Sequence, residues 1–299
     1  MTTRFKGPSA GFGWLKNGIS VSFRHPKALF GGAAFLLLAC LLPALITMPM
    51  QMHAISTGTP QSPTTVGLIM AFSMLIGLLI VPLYAGYLQV VDAAARGLPA
   101  RALDIFKPYR EGEALRLIGF GLTIGVVYLV VLGLILAVSG GGIVSWYIQV
   151  LAAQAAHQPP PGWPQGFGIA MALFTVLILF MMGFYAISLG QVALGRRGVF
   201  GAIGDGIVGA LKNVLPLLVF ALSLVLAWIA VAIAIGLAVL LLTLLSKLVG
   251  PWLMIVLIIP IYIAMVLTMF AVTFGVMYHL WRDVCGDNIE SSVAMAAAI

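Results

Sequence analysis

Five arginines could bind a charged ligand, because each lies beside a long apolar segment of the chain. They are Arg24, Arg96, Arg110, Arg116 and Arg197. Guanidinium groups bind phosphate through paired N–H donors, and each basic side chain near an anionic membrane surface contributes about 1 kcal/mol. The sequence therefore predicts an arginine rim that attracts lipid phosphate. Membrane topology alone also places arginines at the ends of apolar segments, so that interpretation stays open.

A second set of polar residues lies within the apolar segments. This candidate intramembrane polar cluster consists of Tyr84, Gln89, Tyr185, Gln191 and Tyr262. Lipid cannot satisfy the hydrogen bonds of these side chains, so we expect them to face neighbouring helices or a cavity. Two hypotheses follow: hydrogen bonds between helices, or a polar cleft that opens to the cytoplasm inside the arginine rim.

The sequence contains no pattern typical of catalysis, metal binding or cofactor binding. Its four histidines are scattered, and its two cysteines lack metal-ligand spacing. Phosphate-binding loops, nucleophile elbows and dinucleotide fingerprints are absent from the sequence. Asp92 and Arg96 lie one helical turn apart, where they can pair at the end of a segment. We predict a protein that is not an enzyme and has no catalytic residues, metal site or cofactor.

The composition indicates an integral membrane protein. Hydrophobic residues make up 62% of the 299 positions and charged residues only 8%, whereas soluble domains carry about 25% charged residues. The net charge of +7 would suggest nucleic acid in a soluble chain. Here the charges flank apolar segments, so we expect membrane lipids as partners, through anionic headgroups on the cytoplasmic side, and no nucleic acid.

Six apolar segments are long enough to cross a bilayer, which requires about 20 helical residues. They cover residues 28–50, 66–91, 114–138, 167–194, 213–246 and 252–280. The fifth has no internal turn signal, so we predict one long tilted helix that bends near Pro216. Residues 143–156 are apolar but too few to cross, which predicts an interfacial or re-entrant helix. The predicted fold is an all-α polytopic bundle forming one membrane domain, 1–299.

The charge distribution predicts the orientation of the bundle. Of the 15 Lys and Arg residues, 13 lie before span 1, between spans 2 and 3, between spans 4 and 5, or after span 6; Arg116 lies at the entry of span 3 on the same side, and Lys247 lies on the opposite side. Cytoplasmic segments collect basic residues, so both termini are predicted to be cytoplasmic. Residues 1–27 form a basic segment with aromatic spacing typical of an interfacial helix, although a disordered tail is the alternative. Residues 281–299 form the cytoplasmic tail.

One stretch of the chain recurs after 101 positions. The matched pairs are Tyr84 with Tyr185, Leu88 with Leu189, Arg96-Gly97 with Arg197-Gly198, and Asp104 with Asp205. Asn17-Gly18-Ile19 also resembles Asp205-Gly206-Ile207. These matches predict three related hairpins, each preceded by a cytoplasmic interfacial helix and related by an axis near the membrane normal. Chance matches in apolar sequence are the alternative explanation.

Several short motifs resemble those of a protein family. They are Gly13-Trp14, Phe23-Arg24-His25-Pro26, Pro82 with Arg96-Gly97, and Tyr278 with Arg282-Asp283-Val284. With these, nearly the whole chain resembles a group of uncharacterised proteobacterial six-span inner-membrane proteins. That group is distantly similar to the membrane domain of some glycerophosphodiester phosphodiesterases. The resemblance implies a bacterial inner-membrane location. It implies no catalytic residues, because this chain lacks the phosphodiesterase domain.

Three functional hypotheses follow from the sequence. The first is a non-enzymatic inner-membrane protein that organises or handles envelope lipids or membrane partners. The second is a small-molecule or lipid transporter with a cytoplasm-facing polar cleft. The third, an intramembrane enzyme, requires a convergent set of acids, bases or metal ligands that the sequence does not show. A membrane-protein partner or a homo-oligomer is compatible with the small residues along several spans.

Overall fold

The computed structural model describes residues 3–57, 62–138, 142–155, 158–250 and 252–286. Within these ranges the chain is helical and forms no strand. The α-helices are α1 Ala10–Arg24, α2 Pro26–Thr57, α3 Pro63–Ala95, α4 Lys107–Arg110, α5 Ala114–Val138, α6 Gly142–Ala155, α7 Phe167–Ala193, α8 Val199–Lys212, α9 Val214–Val249 and α10 Trp252–Trp281. A 3₁₀ helix, Ala102–Phe106, precedes α4, and a π-helical turn, Arg282–Gly286, follows α10.

Six of these helices are long and apolar enough to cross a membrane: α2, α3, α5, α7, α9 and α10. Their most apolar stretches have mean hydropathies between 2.4 and 2.9. The prediction of six apolar spanning helices is confirmed, and the chain has the architecture of a multi-pass membrane protein. Each of the six overlaps one of the predicted segments.

The helix ends differ from the predicted segments in two places. Helix α2 continues through Thr57, beyond the predicted end at Met50, because no residue from Gln51 to Thr57 is a glycine or proline that would stop it. Pro216 is the third residue of α9, in the first turn, where a missing N–H breaks no helical hydrogen bond. The fifth span is one continuous helix, and its proline lies at the start instead of at an internal bend.

The six long helices are arranged in two rings. Helices α3, α7 and α10 contact one another in the centre. Outside them, α2 packs on α3 and α10, α5 packs on α3 and α7, and α9 packs on α7 and α10. Each inner helix is therefore the second member of a hairpin, and each outer helix bridges two inner helices.

The short helices cover one end of this bundle. Helix α1 packs on α9 and α10, the 3₁₀ helix packs on α2 and α3, and α8 packs mainly on α7. We call this end the basic end, because basic residues such as Arg4 and Lys212 lie there. Arg4 N–H donates to the carbonyl of Val284 (3.0 Å), and Lys212 Nζ donates to that of Thr3 (3.3 Å). These bonds join the N-terminal segment, the end of α8 and the end of α10 into one surface.

Buried residues are concentrated near the basic end. The largest fully buried side chains include Trp14, Tyr87, Phe120, Phe184 and Trp281, which all belong to α1 or to the basic-end halves of the spanning helices. In contrast, the most apolar stretch of α9 has no buried residue. The helices are thus tightly packed at the basic end and present apolar side chains to their surroundings over the rest of their length.

The N-terminal segment is fastened to the bundle by one buried amide. Asn213 is 1% exposed; its Oδ1 accepts from Lys6 N–H (2.9 Å) and its Nδ2 donates to the carbonyls of Arg4 (2.9 Å) and Gly209 (2.8 Å). A single side chain therefore forms two hydrogen bonds to the backbone of the segment that precedes α1.

Replacing Asn213 with alanine should release the N-terminal segment from the bundle. Local opening exposes backbone to proteases, so we expect trypsin to cut after Lys6 at least about tenfold faster in Asn213→Ala than in the unmodified protein, because two net bonds of about 1 kcal/mol each are lost. Intact-mass spectrometry over a digestion time course measures this rate. The matched control is Asn17→Ala on exposed α1 surface, and equal cleavage rates in both variants would contradict the role of Asn213.

Candidate functional site

The predicted arginine rim separates into two kinds of residue in the structure. Arg197 forms an ion pair with Asp205 (Nε to Oδ2, 2.6 Å), and Arg116 bonds to the Val192 carbonyl (Nη2 to O, 3.2 Å) and approaches Glu113 at 3.4 Å. The Arg116 guanidinium joins α5 to α7, and the Arg197 guanidinium joins the α7–α8 connection to α8. They therefore serve the packing of the basic end and are poorly placed to receive a ligand.

Arg96 pairs with Asp92 at 2.8 Å, as their spacing predicted. Partial burial acts to lower the pKa of Arg96, but the charge and hydrogen bond of Asp92, together with the Tyr278 hydroxyl, outweigh it and raise the pKa, so the guanidinium stays charged. Arg110 ends the short helix α4 and is exposed. Arg24 is the last residue of α1 and lines a cleft. The five arginines thus do not surround one opening.

The cleft beside Arg24 lies between three helices at the basic end. Its volume is about 140 Å³, enough for several waters or one phosphate group. The lining residues are Asn17, Ser20, Val21, Arg24 and His25 from α1 and its C-cap, Ala94 and Ala95 from α3, and His279 from α10. We call this group the Arg24 cleft.

Local sequence explains why these side chains meet. Gly18 lets α1 cross α10 at backbone distance, since a Cβ at Gly18 would lie 2.7 Å from the Val276 nitrogen. The Trp14 indole donates to the Asp283 carboxylate (2.8 Å) and fixes α1 along its axis. Helix α1 then ends at Arg24, because His25 precedes Pro26 and such residues disfavour helical geometry. Arg24 and His25 are therefore held beside His279.

The cleft is electropositive. None of its described lining residues is acidic, and the acids closest along the chain are engaged elsewhere: Asp92 by Arg96 and Asp283 by Trp14. The C-terminal ends of α1 and α3 bring partial negative charge of about half a unit each. In α3 the last carbonyls accept bonds from the N–H groups of residues 96–98. The full charge of Arg24 and two imidazole donors therefore dominate the opening.

The structure brings together only part of the predicted polar cluster: Tyr84 and Tyr185 lie close enough to interact electrostatically, and the other members have separate surroundings. The Tyr84 hydroxyl lies 3.6 Å from Cys40 Sγ, and Gln89 Nε2 donates to the Ala193 carbonyl at 3.2 Å. Tyr185 stacks loosely on Phe120 with ring centroids 6.3 Å apart, while Tyr262 is exposed on α10. Tyr84, Gln89 and Tyr185 are partly buried between helices, and Tyr262 faces outward.

Gln191 forms the centre of a buried network. It is fully buried; its Nε2 donates to Asp205 Oδ2 (2.8 Å), and its Oε1 accepts from the Trp281 indole (3.4 Å). Together with Arg197, these residues connect α7, α8 and α10. Both polar groups of the Gln191 amide have a partner within the bundle, so we assign the network to packing.

The sequence matches no protein-family model, no curated protein and no solved structure. Its site must therefore be judged by geometry alone. In the part of the chain that the structure describes, no three His, Cys, Asp or Glu side chains are grouped closely enough to hold a metal ion.

Sequence reasoning identified Arg24 but not its neighbours. Nothing in the sequence marked His279 or Ser20 as site residues. They line one cleft only because α1, near the start of the chain, packs on α10, near its end. Asn17 was noted in the sequence only because it matches Asp205 in the repeat. The spacing of Phe12, Trp14, Leu15, Ile19 and Phe23 predicted an amphipathic helix but did not distinguish their surroundings. Trp14 and Leu15 are buried against the bundle, while Phe12, Ile19 and Phe23 are exposed.

Proposed function

We propose that this chain is a non-enzymatic, multi-pass protein of the bacterial inner membrane that binds and organises phospholipids from its cytoplasmic face. The observation that supports this most directly is the contrast between the two parts of the bundle. The Arg24 cleft lies at the tightly packed basic end, whereas the six spanning helices contain strongly apolar stretches with mean hydropathies between 2.4 and 2.9.

Five Ser and Thr hydroxyls within the spans bond to a carbonyl of their own helix at 2.7–2.9 Å: Thr123 to Gly119, Thr175 to Met171, Ser223 to Val219, Thr243 to Val239, and Thr268 to Ala264. The buried Ser188 and Tyr278 hydroxyls, which have no hydrogen-bond partner among the described residues, lie in the basic-end halves of α7 and α10. Polar solutes cross membranes along unpaired polar or ionisable groups. Hydroxyls that are satisfied by their own backbone favour a lipid-facing function over solute transport.

An apolar groove on the other flank of α1 also supports lipid contact. It holds about 420 Å³ and is lined mainly by aliphatic, aromatic and methionine side chains of α1, α9 and α10. Ile19 and Phe23 of α1 line it, whereas Asn17 and Arg24 line the Arg24 cleft. Helix α1 therefore has one apolar and one polar flank, as expected for a helix lying in the headgroup region.

The cytoplasmic assignment of the basic end rests on the positive-inside rule. Arginines and lysines lie in the N-terminal segment, α4, α8 and the end of α10, all at the basic end, and Lys247 lies at the far end of α9. We accordingly place both termini in the cytoplasm. The inner-membrane location additionally rests on the family resemblance of the motifs around Arg24 and Arg282.

The ring arrangement supports a threefold repeat of hairpins. The 3₁₀ helix packs on the first hairpin, α8 on the second and α1 on the third, so each short element covers the hairpin before it and α1 closes the ring. The sequence repeats align Ile105, Gly206 and Gly18. At each of these positions a short helix crosses an inner helix at backbone distance. Three equivalent crossings are difficult to explain by chance matches.

Native mass spectrometry of the protein released from a mild detergent tests this function. We expect the protein to carry defined phospholipids and to retain phosphatidylglycerol several-fold better than phosphatidylcholine, since each basic contact favours an anionic headgroup by about 1 kcal/mol. Lipid-free protein under all release conditions would count against lipid binding. A stable complex with another membrane protein, free of lipid, would indicate a scaffold.

The Arg24 cleft itself favours one alternative, a lipid or small-molecule transporter with a cytoplasmic opening. Proteoliposomes that contain fluorescent phosphatidylglycerol distinguish the two functions. We expect the rate of transbilayer lipid movement to equal that of protein-free vesicles, because the packed core separates the cleft from the other leaflet. Clear acceleration by the protein would establish the transporter alternative.

A further inference from the structure

We propose that the Arg24 cleft binds a phosphate group, and we assign that phosphate to the headgroup of an anionic phospholipid. The assignment of the lipid rests on the proposed function, whereas the phosphate chemistry rests on the cleft alone. The ligand class is a phosphate mono- or diester with a negative charge at the membrane surface.

The donor set of the cleft suits phosphate. Arg24 offers up to five N–H donors in a planar fork, and His25, His279, Ser20 and Asn17 each offer at least one further donor. Phosphate oxygens are strong acceptors and bind best to charged, bidentate donors. Among the described residues, no acid lines the cleft, so an anion meets no opposing carboxylate there.

Arg24 differs from the other rim arginines in being available. Arg96, Arg116 and Arg197 are each within 4.0 Å of a carboxylate, and Arg110 does not line the cleft. Among the described ion pairs and hydrogen bonds, none involves the Arg24 side chain. Its guanidinium group is thus a positive charge next to two imidazoles and a hydroxyl, with no internal counter-ion.

The position of the cleft favours a lipid source for the phosphate. Helix α1 carries exposed Ile19 and Phe23 on its other flank, which places it at the boundary between lipid tails and headgroups. Residue 26 begins the first spanning helix directly after the cleft. A headgroup phosphate at this depth can reach Arg24 while its acyl chains remain among the apolar helices.

Titration of the full-length detergent-solubilised protein with dioleoylphosphatidylglycerol, followed by native mass spectrometry, tests the site. We expect Arg24→Gln to weaken binding about tenfold, the effect of losing a bidentate charged contact. Arg24→Lys should weaken it less, because the charge remains but the fork is lost. The control Arg110→Gln removes the same charge from the same end of the bundle and should change affinity less than about twofold.

Competition with millimolar inorganic phosphate distinguishes the two sources. If phosphate leaves phosphatidylglycerol binding unchanged and Arg24→Gln weakens it, the lipid headgroup is the ligand. If phosphate itself binds in an Arg24-dependent manner while lipid binding does not respond to Arg24→Gln, the cleft serves a soluble phosphate ester and the lipid assignment is wrong.

Two further outcomes separate this inference from the proposed function. Tight phosphatidylglycerol binding that is equal in Arg24→Gln, Arg110→Gln and the unmodified protein would overturn the site and leave lipid binding in place. Weak binding with no preference over phosphatidylcholine in the unmodified protein would overturn the proposed function. Thermal unfolding of each variant confirms its fold, and His279→Gln provides an independent substitution on a different helix, with an expected loss of about threefold for one neutral hydrogen bond.

Discussion

Replacing Gly86 with alanine should destabilise the bundle by about 3 kcal/mol, the upper end of the usual cost of overpacking. Gly86 is the point where α3 contacts the 3₁₀ helix, and an added Cβ would overlap the carbonyl oxygen of Ile105. Because the obstructing atom belongs to the backbone, no side-chain rotation can relieve the overlap. Either the 3₁₀ helix must lift from α3 or α3 must shift against its neighbours.

Chemical unfolding in mixed detergent micelles, followed by circular dichroism, measures this loss. Gly77→Ala is the matched control, since Gly77 lies on the same helix and an added Cβ there has no neighbour within 4 Å. Alanine is the better helix former by about 1 kcal/mol, so this control should be neutral or slightly stabilising. Similar losses in both variants would show that glycine flexibility, and not the crossing, is what α3 requires.

The number and approximate positions of the spanning helices could be predicted from the sequence, because hydropathy depends on local composition. The fifth span shows this well: the absence of a turn signal between Lys212 and Lys247 predicted one helix, and α9 is continuous from Val214 to Val249. The extension of α2 to Thr57 was missed. The predicted span ended at residue 50, although none of residues 51–57 is a glycine or proline that would stop a helix.

The contents of the cleft could not be predicted, because they depend on packing between distant segments. Asp92 and Arg96 were paired correctly since their interaction needs only one helical turn. His279 reaches the cleft only because α1 packs across α10, and that contact depends on Gly18 meeting Val276. Hydropathy records how apolar a residue is and not which glycine lies at a helix crossing, so it carries no information about where two backbones cross.

The two aligned acidic residues of the repeat also show that sequence matches do not predict how a side chain packs. Asp104 and Asp205 occupy matching positions, but Asp104 accepts a bond from the Arg101 N–H (2.9 Å) at the start of the 3₁₀ helix. Asp205 is only 8% exposed, and its carboxylate accepts a hydrogen bond from the buried Gln191 amide. The difference arises because α8 is longer than the 3₁₀ helix and carries Asp205 beneath the end of α7.

Asp205→Ala should therefore cost about 3 kcal/mol of stability, comparable to breaking a buried charged network. The substitution leaves Gln191 Nε2 without its acceptor in a fully buried position and removes the counter-ion of Arg197. Arg197 is 37% exposed, so water compensates part of its loss. Most of the loss of stability should come from the Gln191 amide, which is left without an acceptor. The same unfolding assay measures this loss.

Two variants show which interaction dominates. Asp205→Asn keeps an oxygen that can accept from Gln191 but removes the charge, so it should recover about half of the loss. Asp92→Ala breaks the corresponding pair with Arg96, which has no buried amide attached, and should cost less than about 1 kcal/mol. If Asp205→Asn were as unstable as Asp205→Ala, the ion pair with Arg197 would be the dominant interaction. In that case charge, and not the buried amide, would hold α8 against α7 and α10.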